Sequence, residues 1–205
     1  MNDLLILAVK IVIVLYSVVI HELSHGLMAN SLGDPTAKRM GRLTLNPIRH
    51  LDIFGSIILP LLLYIVPPHL VFGYAKPVPY NPLLLRDKKL GPAKVAFAGP
   101  ISNIVLALLF GLVMRFMPFL IYSSVIQELF VFIIWINLAL AIFNLMPIPP
   151  LDGHWLLMAF LPDRFNAFKL FLYRYNIILF VAFIMFVLPW LSYLISFLFR
   201  VITGI

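Results

Sequence analysis

Cysteine is absent from the 205-residue chain, so disulfides and thiolate metal sites are excluded and any bound metal must be held by His and carboxylate. Charge is scarce as well. Asp, Glu, Lys and Arg make up 11% of the chain against 63% apolar residues, and the mean hydropathy is +1.06, a composition that belongs in a bilayer rather than in water. No polar stretch is long enough for a separate soluble module, so the expectation is one membrane-embedded domain over residues 1–205. Acidic residues are the scarcer sign, eight against fifteen Lys and Arg, for a net charge of +7. The basic residues sit in loops between apolar runs, where positive charge sets orientation and meets anionic headgroups. The expected partner is therefore the lipid bilayer and not nucleic acid. Internal repeats and low-complexity tracts are also lacking.

The apolar runs set a topology. Residues 4–20 follow Asp3 rather than a basic cluster and lead to no small-residue cleavage site, which predicts a retained transmembrane helix that continues through residues 21–30 and stops near Gly33-Asp34-Pro35. The next loop carries Lys38, Arg39, Arg42 and Arg49, placing it in the cytoplasm and the N-terminus outside. Residues 53–66 are apolar but span only about 21 Å as a helix, short of a bilayer core of about 30 Å. Their far flank is also basic, through Lys76, Arg86, Lys88, Lys89 and Lys94, so a re-entrant or short hydrophobic segment lining a cavity is expected. Residues 94–117 then exit, and residues 129–145 return to a Pro-rich run at 146–150, bringing Asp152 to the cytoplasmic end. Polar residues 163–176 fit the same side. The last span, 177–201, contains Pro189 and reads either as one kinked helix or as two short ones. The fold class is thus an all-α polytopic membrane protein with about four to five transmembrane helices. Short strand-like runs at 42–45 and 72–80 predict a small cytoplasm-side β-hairpin or sheet, whose open edge could receive an extended peptide.

One motif carries chemistry. In His21-Glu22-Leu23-Ser24-His25 the two histidines are four apart, about 40° from each other on a helix and about 6 Å along its axis. Imidazoles at that spacing can bind one zinc ion, and Glu22 is placed to take a proton from water that the metal activates. An acid within a span costs roughly 2.5–3.5 kcal/mol at helix centre, which favours function over accident; the plain alternative is exposure at the cytoplasmic interface. A third ligand is needed, and Asp152 leads, as a carboxylate at a membrane boundary on the side of His25 with Gly153 allowing a turn. Its alternative role is the N-cap of a short helix over 154–161. His154 should point about 200° from Asp152 and lie at the interface. His50 and His69 lie in loops. Asn103 and Asn144 could grip substrate or bond neighbouring helices, and Lys76 with Pro77 and Pro79 could flank the site or face headgroups.

Three segments occur in order: His21-Glu22-Leu23-Ser24-His25, Gly99-Pro100-Ile101-Ser102-Asn103 and Leu151-Asp152-Gly153. Together they resemble the site-2 protease family of intramembrane zinc metalloproteases, over a catalytic core of about residues 4–160; the region 177–201 has no matching motif. The resemblance implies that His21, His25 and Asp152 bind one zinc ion per chain. It further implies that Glu22 activates water and that the substrates are transmembrane proteins cut in a helix unwound near the cytoplasmic face, at the cell membrane. Many members carry an extra leading span and an inserted peptide- or nucleotide-binding domain; this chain shows neither and resembles a minimal version. Two alternatives stand beside this zinc metalloendopeptidase. Membrane zinc transport needs further polar groups along the spans, which offer few beyond Ser102, Asn103 and Asn137. A non-catalytic pseudoprotease is opposed by the intact Glu22.

Overall fold

A computed structural model describes residues 3–65, 73–120 and 123–205, and no strand occurs among the described residues. The first helix, α1 (Asp3–Ser31), contains neither proline nor internal break over its 29 residues. That gives it a length of about 43 Å, more than a bilayer core of about 30 Å. It ends where the left-handed Gly33 (φ 107°) reverses the chain. A one-turn helix α2 (Thr36–Arg39) follows, then a wide turn at Ile53–Ile58 running into α3 (Leu59–Ile65). Two long apolar helices come next, α4 (Gly91–Phe116) and α5 (Ser124–Asn144). After them lie α6 (Gly153–Phe160), α7 (Asn166–Arg174), α8 (Asn176–Phe186) and α9 (Leu188–Thr203).

Helices α1, α4 and α5 are each long and apolar enough to cross a membrane. They pack on one another and yet leave wide apolar faces outward: only 17% of the most apolar window of α1 is buried, and Val105, Leu109 and Leu112 of α4 are about half exposed or more. An apolar belt of that extent matches a lipid-facing surface. Polar ties close the end of the bundle remote from His21. Lys10 of α1 pairs with Glu128 of α5 at 2.6 Å, and the Arg115 guanidinium at the end of α4 donates to the Val201 carbonyl of α9 at 2.8 Å. Helices α1 and α5 therefore run parallel and α4 runs against them.

Of the two readings of 177–201, the structure has two short helices, α8 and α9. Pro189 sits in the first turn of α9, where its missing N–H interrupts nothing. Helices α7 and α8 are bent by 75° and are long enough for one span only together, so the described residues hold three helices able to cross a membrane, or up to four, against the expected four to five. The reason is length: α8 and α9 rise about 16 and 24 Å, less than the core of a bilayer. They complete the largest apolar core with α4 and α5, through Ala107, Ile134, Leu138, Phe183, Leu191 and Ile195.

The predicted β-hairpin does not form among the described residues; Phe72 lies outside them, as do Val66 and His69. Residues 73–80 are an extended strap without a ladder. Pro77 and Pro79 have no N–H to offer, and three of the donors that remain go elsewhere: Tyr74 N–H to the Gly55 carbonyl at 3.0 Å, Lys76 N–H to that of His50 at 2.8 Å, and Val78 N–H to Glu22. Arg42, from the expected partner strand, holds the strap by its side chain, donating to the carbonyls of Lys76 (2.9 Å) and Pro77 (3.3 Å). The strap lies on α1 at Gly26, where a Cβ would fall 2.6 Å from Leu43 and 2.8 Å from Val78. Tyr74 packs against Gly55, so the chain returns beside the point at which the 53–65 segment left.

Candidate metal centre

Helix α1 presents His21 and His25 on one face, their rings nearly perpendicular at 85° with centroids 4.7 Å apart. Their Nε2 atoms are 3.1 Å apart. Asp152 arrives from the turn between α5 and α6 and sets Oδ2 3.1 Å from His21 Nε2 and 3.2 Å from His25 Nε2. What brings it there is close backbone approach. A Cβ on Gly153 would lie 2.1 Å from the Leu145 carbonyl oxygen, so only glycine lets α6 start against the end of α5. The expectation that Gly153 serves a turn by its conformational freedom is corrected: the positive-φ glycines among the described residues are Gly33, Gly41 and Gly204. The capping alternative for Asp152 also falls away, since its side chain makes no cap hydrogen bond to α6.

The other imidazole nitrogens are engaged by α4. His25 Nδ1 lies 2.7 Å from the Val95 carbonyl, which can only accept, so Nδ1 carries the proton and a neutral ring leaves Nε2 bare. His21 Nδ1 lies 2.6 Å from Asn103 Oδ1. Helix α4 reaches the site through Gly99, where a Cβ would be 2.4 Å from His25 Nε2 and 2.6 Å from His21 Nε2. Two bare nitrogens and one carboxylate oxygen facing one another repel unless a cation lies among them. A tetrahedral zinc ion with bonds of about 2.0–2.1 Å separates its ligand atoms by about 3.3 Å, close to the spacing seen. The residues fit the ion, and each imidazole has the outer hydrogen bond that metal-ligating histidines use.

Around this triad the remaining sequence candidates divide. Glu22 accepts from Val78 N–H at 2.8 Å through Oε2, which places the strap of Lys76, Pro77 and Pro79 beside it. His154 is buried rather than interfacial; its Nδ1 donates to the Leu151 carbonyl at 2.6 Å. His50 is also buried, with Nε2 on the Thr44 carbonyl at 2.9 Å, and joins no metal cluster among the described residues. Asn144 donates to the Leu140 carbonyl of its own helix at 2.9 Å. Sequence reasoning missed Ser17, Arg42, Val78 and Tyr80. Among the described residues the buried Tyr80 hydroxyl has no hydrogen-bond partner, and it is pushed up to about 12, first by burial and then by the charges of Asp152 and Tyr173. None of these four lies within a motif, and the bonds of Ser17, Arg42 and Val78 join segments distant in sequence.

The chain is 38% identical over 191 residues to YwhC of Bacillus subtilis, a protein with the provisional name of zinc metalloprotease, covering 89% of this chain and 82% of that one. The chain belongs to peptidase family M50. The family model matches residues 118–188, which include Asp152. Two further relatives share the same provisional name: Rip2 of Mycolicibacterium smegmatis, 32% identical over 68% of this chain and 52% of its own, and MJ0611 of Methanocaldococcus jannaschii, 44% identical over 29% and 30%. No solved structure matches significantly. M50 peptidases are the site-2 protease type, zinc-dependent metalloproteases, so the resemblance read from the three segments holds.

Proposed function

We propose that this M50 protein is an intramembrane zinc endopeptidase, a single domain over residues 1–205 with its catalytic core at about 4–160, that hydrolyses peptide bonds in or near transmembrane helices of other proteins. The observation that carries the reading is the convergence of His21 Nε2, His25 Nε2 and Asp152 Oδ2 within about 3.1–3.2 Å, with both imidazoles anchored from behind. Zinc held there would polarise a scissile carbonyl and make a water molecule more acidic. Glu22 takes the proton from that water and delivers it to the leaving amine. The Val78 amide holds one oxygen of Glu22, so the base is aimed by the strap and not by α1 alone. The substrate has to offer an extended backbone, because a helix keeps its carbonyls bonded; helix-breaking residues in the substrate favour cutting.

The basic flanks of the strap and of the 36–50 loop orient the site toward the cytoplasmic face of the cell membrane. His25 lies six residues, about 9 Å, from the end of α1, a depth that water can reach from that side. Transport is the weaker reading. Of the polar groups that it would use, Ser102 is bonded to the Gly99 carbonyl of its own helix, and Asn103 and Asn137 are bonded to each other and through Asn103 to His21.

The test compares wild type and Glu22→Gln purified in detergent, with bound zinc measured and each incubated with a transmembrane peptide. One zinc in both proteins and cleavage only by the wild type are expected. Equal product from Glu22→Gln would remove Glu22 from the chemistry, and zinc flux into liposomes without proteolysis would turn the assignment to transport.

A further inference from the structure

Behind His21 a chain of buried side chains crosses all three long helices. Asn103 of α4 accepts from His21 Nδ1 at 2.6 Å through Oδ1. Its Nδ2 donates to Asn137 Oδ1 of α5 at 2.8 Å and to the Ser17 carbonyl of α1 at 3.3 Å. Asn137 Nδ2 donates to the Ile133 carbonyl at 2.9 Å and to Ser17 Oγ at 3.0 Å. Asn103 and Asn137 are wholly inaccessible, and Ser17 and His21 nearly so, so water cannot substitute for a lost partner.

The polarity of this chain is not free. Backbone carbonyls only accept, so the Ile133 carbonyl fixes which end of Asn137 is the amide nitrogen. Asn137 must then present oxygen to Asn103, and the Ser17 carbonyl makes the same demand for a donor. Asn103 in turn presents oxygen to His21. Flipping Asn103 alone would set its oxygen against two acceptors, and flipping both amides would set Asn137 oxygen against the Ile133 carbonyl; each leaves buried acceptors facing, at the cost of unmade hydrogen bonds. An oxygen at Asn103 can be met only by a proton on His21 Nδ1, which leaves Nε2 of the neutral ring bare toward the metal site.

We propose that Asn137, two hydrogen bonds removed from the metal site, is a positioning residue that fixes the proton of His21 on Nδ1 and so keeps Nε2 free for zinc. The reading of Nε2 as a ligand rests on the proposed function above; the proton position does not. A neutral, buried Asp at 137 would repeat the polarity, its O–H toward the Ile133 carbonyl and its C=O toward Asn103, whereas Leu would leave only the longer bond to Ser17.

The experiment reads nitrogen protonation by long-range ¹H–¹⁵N correlation in zinc-free, ¹⁵N-histidine-labelled protein, for wild type, Asn137→Leu and Asn137→Asp. Zinc affinity is measured in parallel by chelator competition, and thermal stability is recorded. His21 Nδ1 should be protonated in wild type and Asn137→Asp, and a population with bare Nδ1 should appear in Asn137→Leu, with zinc binding about tenfold weaker. A bare His21 Nδ1 in the wild type overturns the proposal without any variant. So does an Asn137→Leu protein that loses thermal stability while Nδ1 protonation and zinc affinity stay unchanged, since that is a packing role alone. If instead the wild type shows the Nδ1 proton and binds no zinc, the metalloprotease reading fails and the positioning role stands.

Discussion

At Gly99 a methyl group has nowhere to go, because α4 crosses α1 at the imidazoles themselves. Gly99→Ala should keep the helices folded and weaken zinc binding by about 10–100-fold, measured by chelator competition; unchanged affinity would mean that the ligand triad lies elsewhere. Asp34 is a second residue with a role outside the chemistry. It is buried where α1 ends and accepts from Thr36 and from the backbone of Asn81, joining α1 to the far end of the strap. Burial would raise its carboxyl, but the Thr36 hydroxyl, the Asn81 and Thr36 amides and the charge of Arg39 together lower it. Since the folded value lies below an unfolded value of about 3.9, its stabilisation is complete above about pH 4 and is lost as the pH falls through the folded value. Asp34→Ala should cost about 1–3 kcal/mol at neutral pH, and in melts the gap to wild type should narrow only in acid. A gap that stayed constant to low pH would remove the carboxylate from the account.

Among the elements, the strap at 73–80 is the one whose form the residue pattern concealed. The run at 72–80 suggested a strand; two prolines, and the donation of the Tyr74, Lys76 and Val78 amides to other segments, turned it into a clamp for Glu22. Arg42→Ala frees the carbonyls of Lys76 and Pro77 and should lower kcat by about 10- to 100-fold through a misplaced base, with bound zinc unchanged. Loss of zinc in parallel would show that Arg42 supports the whole site instead. At the junction of α5 and α6, Gly153→Ala forces the Leu145 carbonyl to move. It should destabilise the fold by about 1–3 kcal/mol and carry Asp152 away, so that melting temperature and zinc content fall together.

For the whole molecule, the absence of cysteine gives a clean background for single-cysteine labelling. Lys38→Cys and Lys76→Cys should react with an impermeant thiol reagent only after permeabilisation, and Met117→Cys, exposed at the far end of α4, should react in intact cells. Labelling at 38 from outside would invert the topology and detach the site from the cytoplasm. Composition determined the membrane environment, and the four-residue spacing put His21 and His25 on one face of α1, because hydropathy and helical period are local properties. Asp152 was legible as a candidate, 127 residues from His25 by their numbers. That its carboxylate turns to the imidazoles and not to the start of α6 depends on the contact of Gly153 with Leu145. The polar chain from Ile133 through Asn137 and Asn103 to His21, and the Val78 amide on Glu22, were decided only by tertiary structure. Hydrogen bonds between helices depend on which faces meet, and no spacing within one helix encodes that.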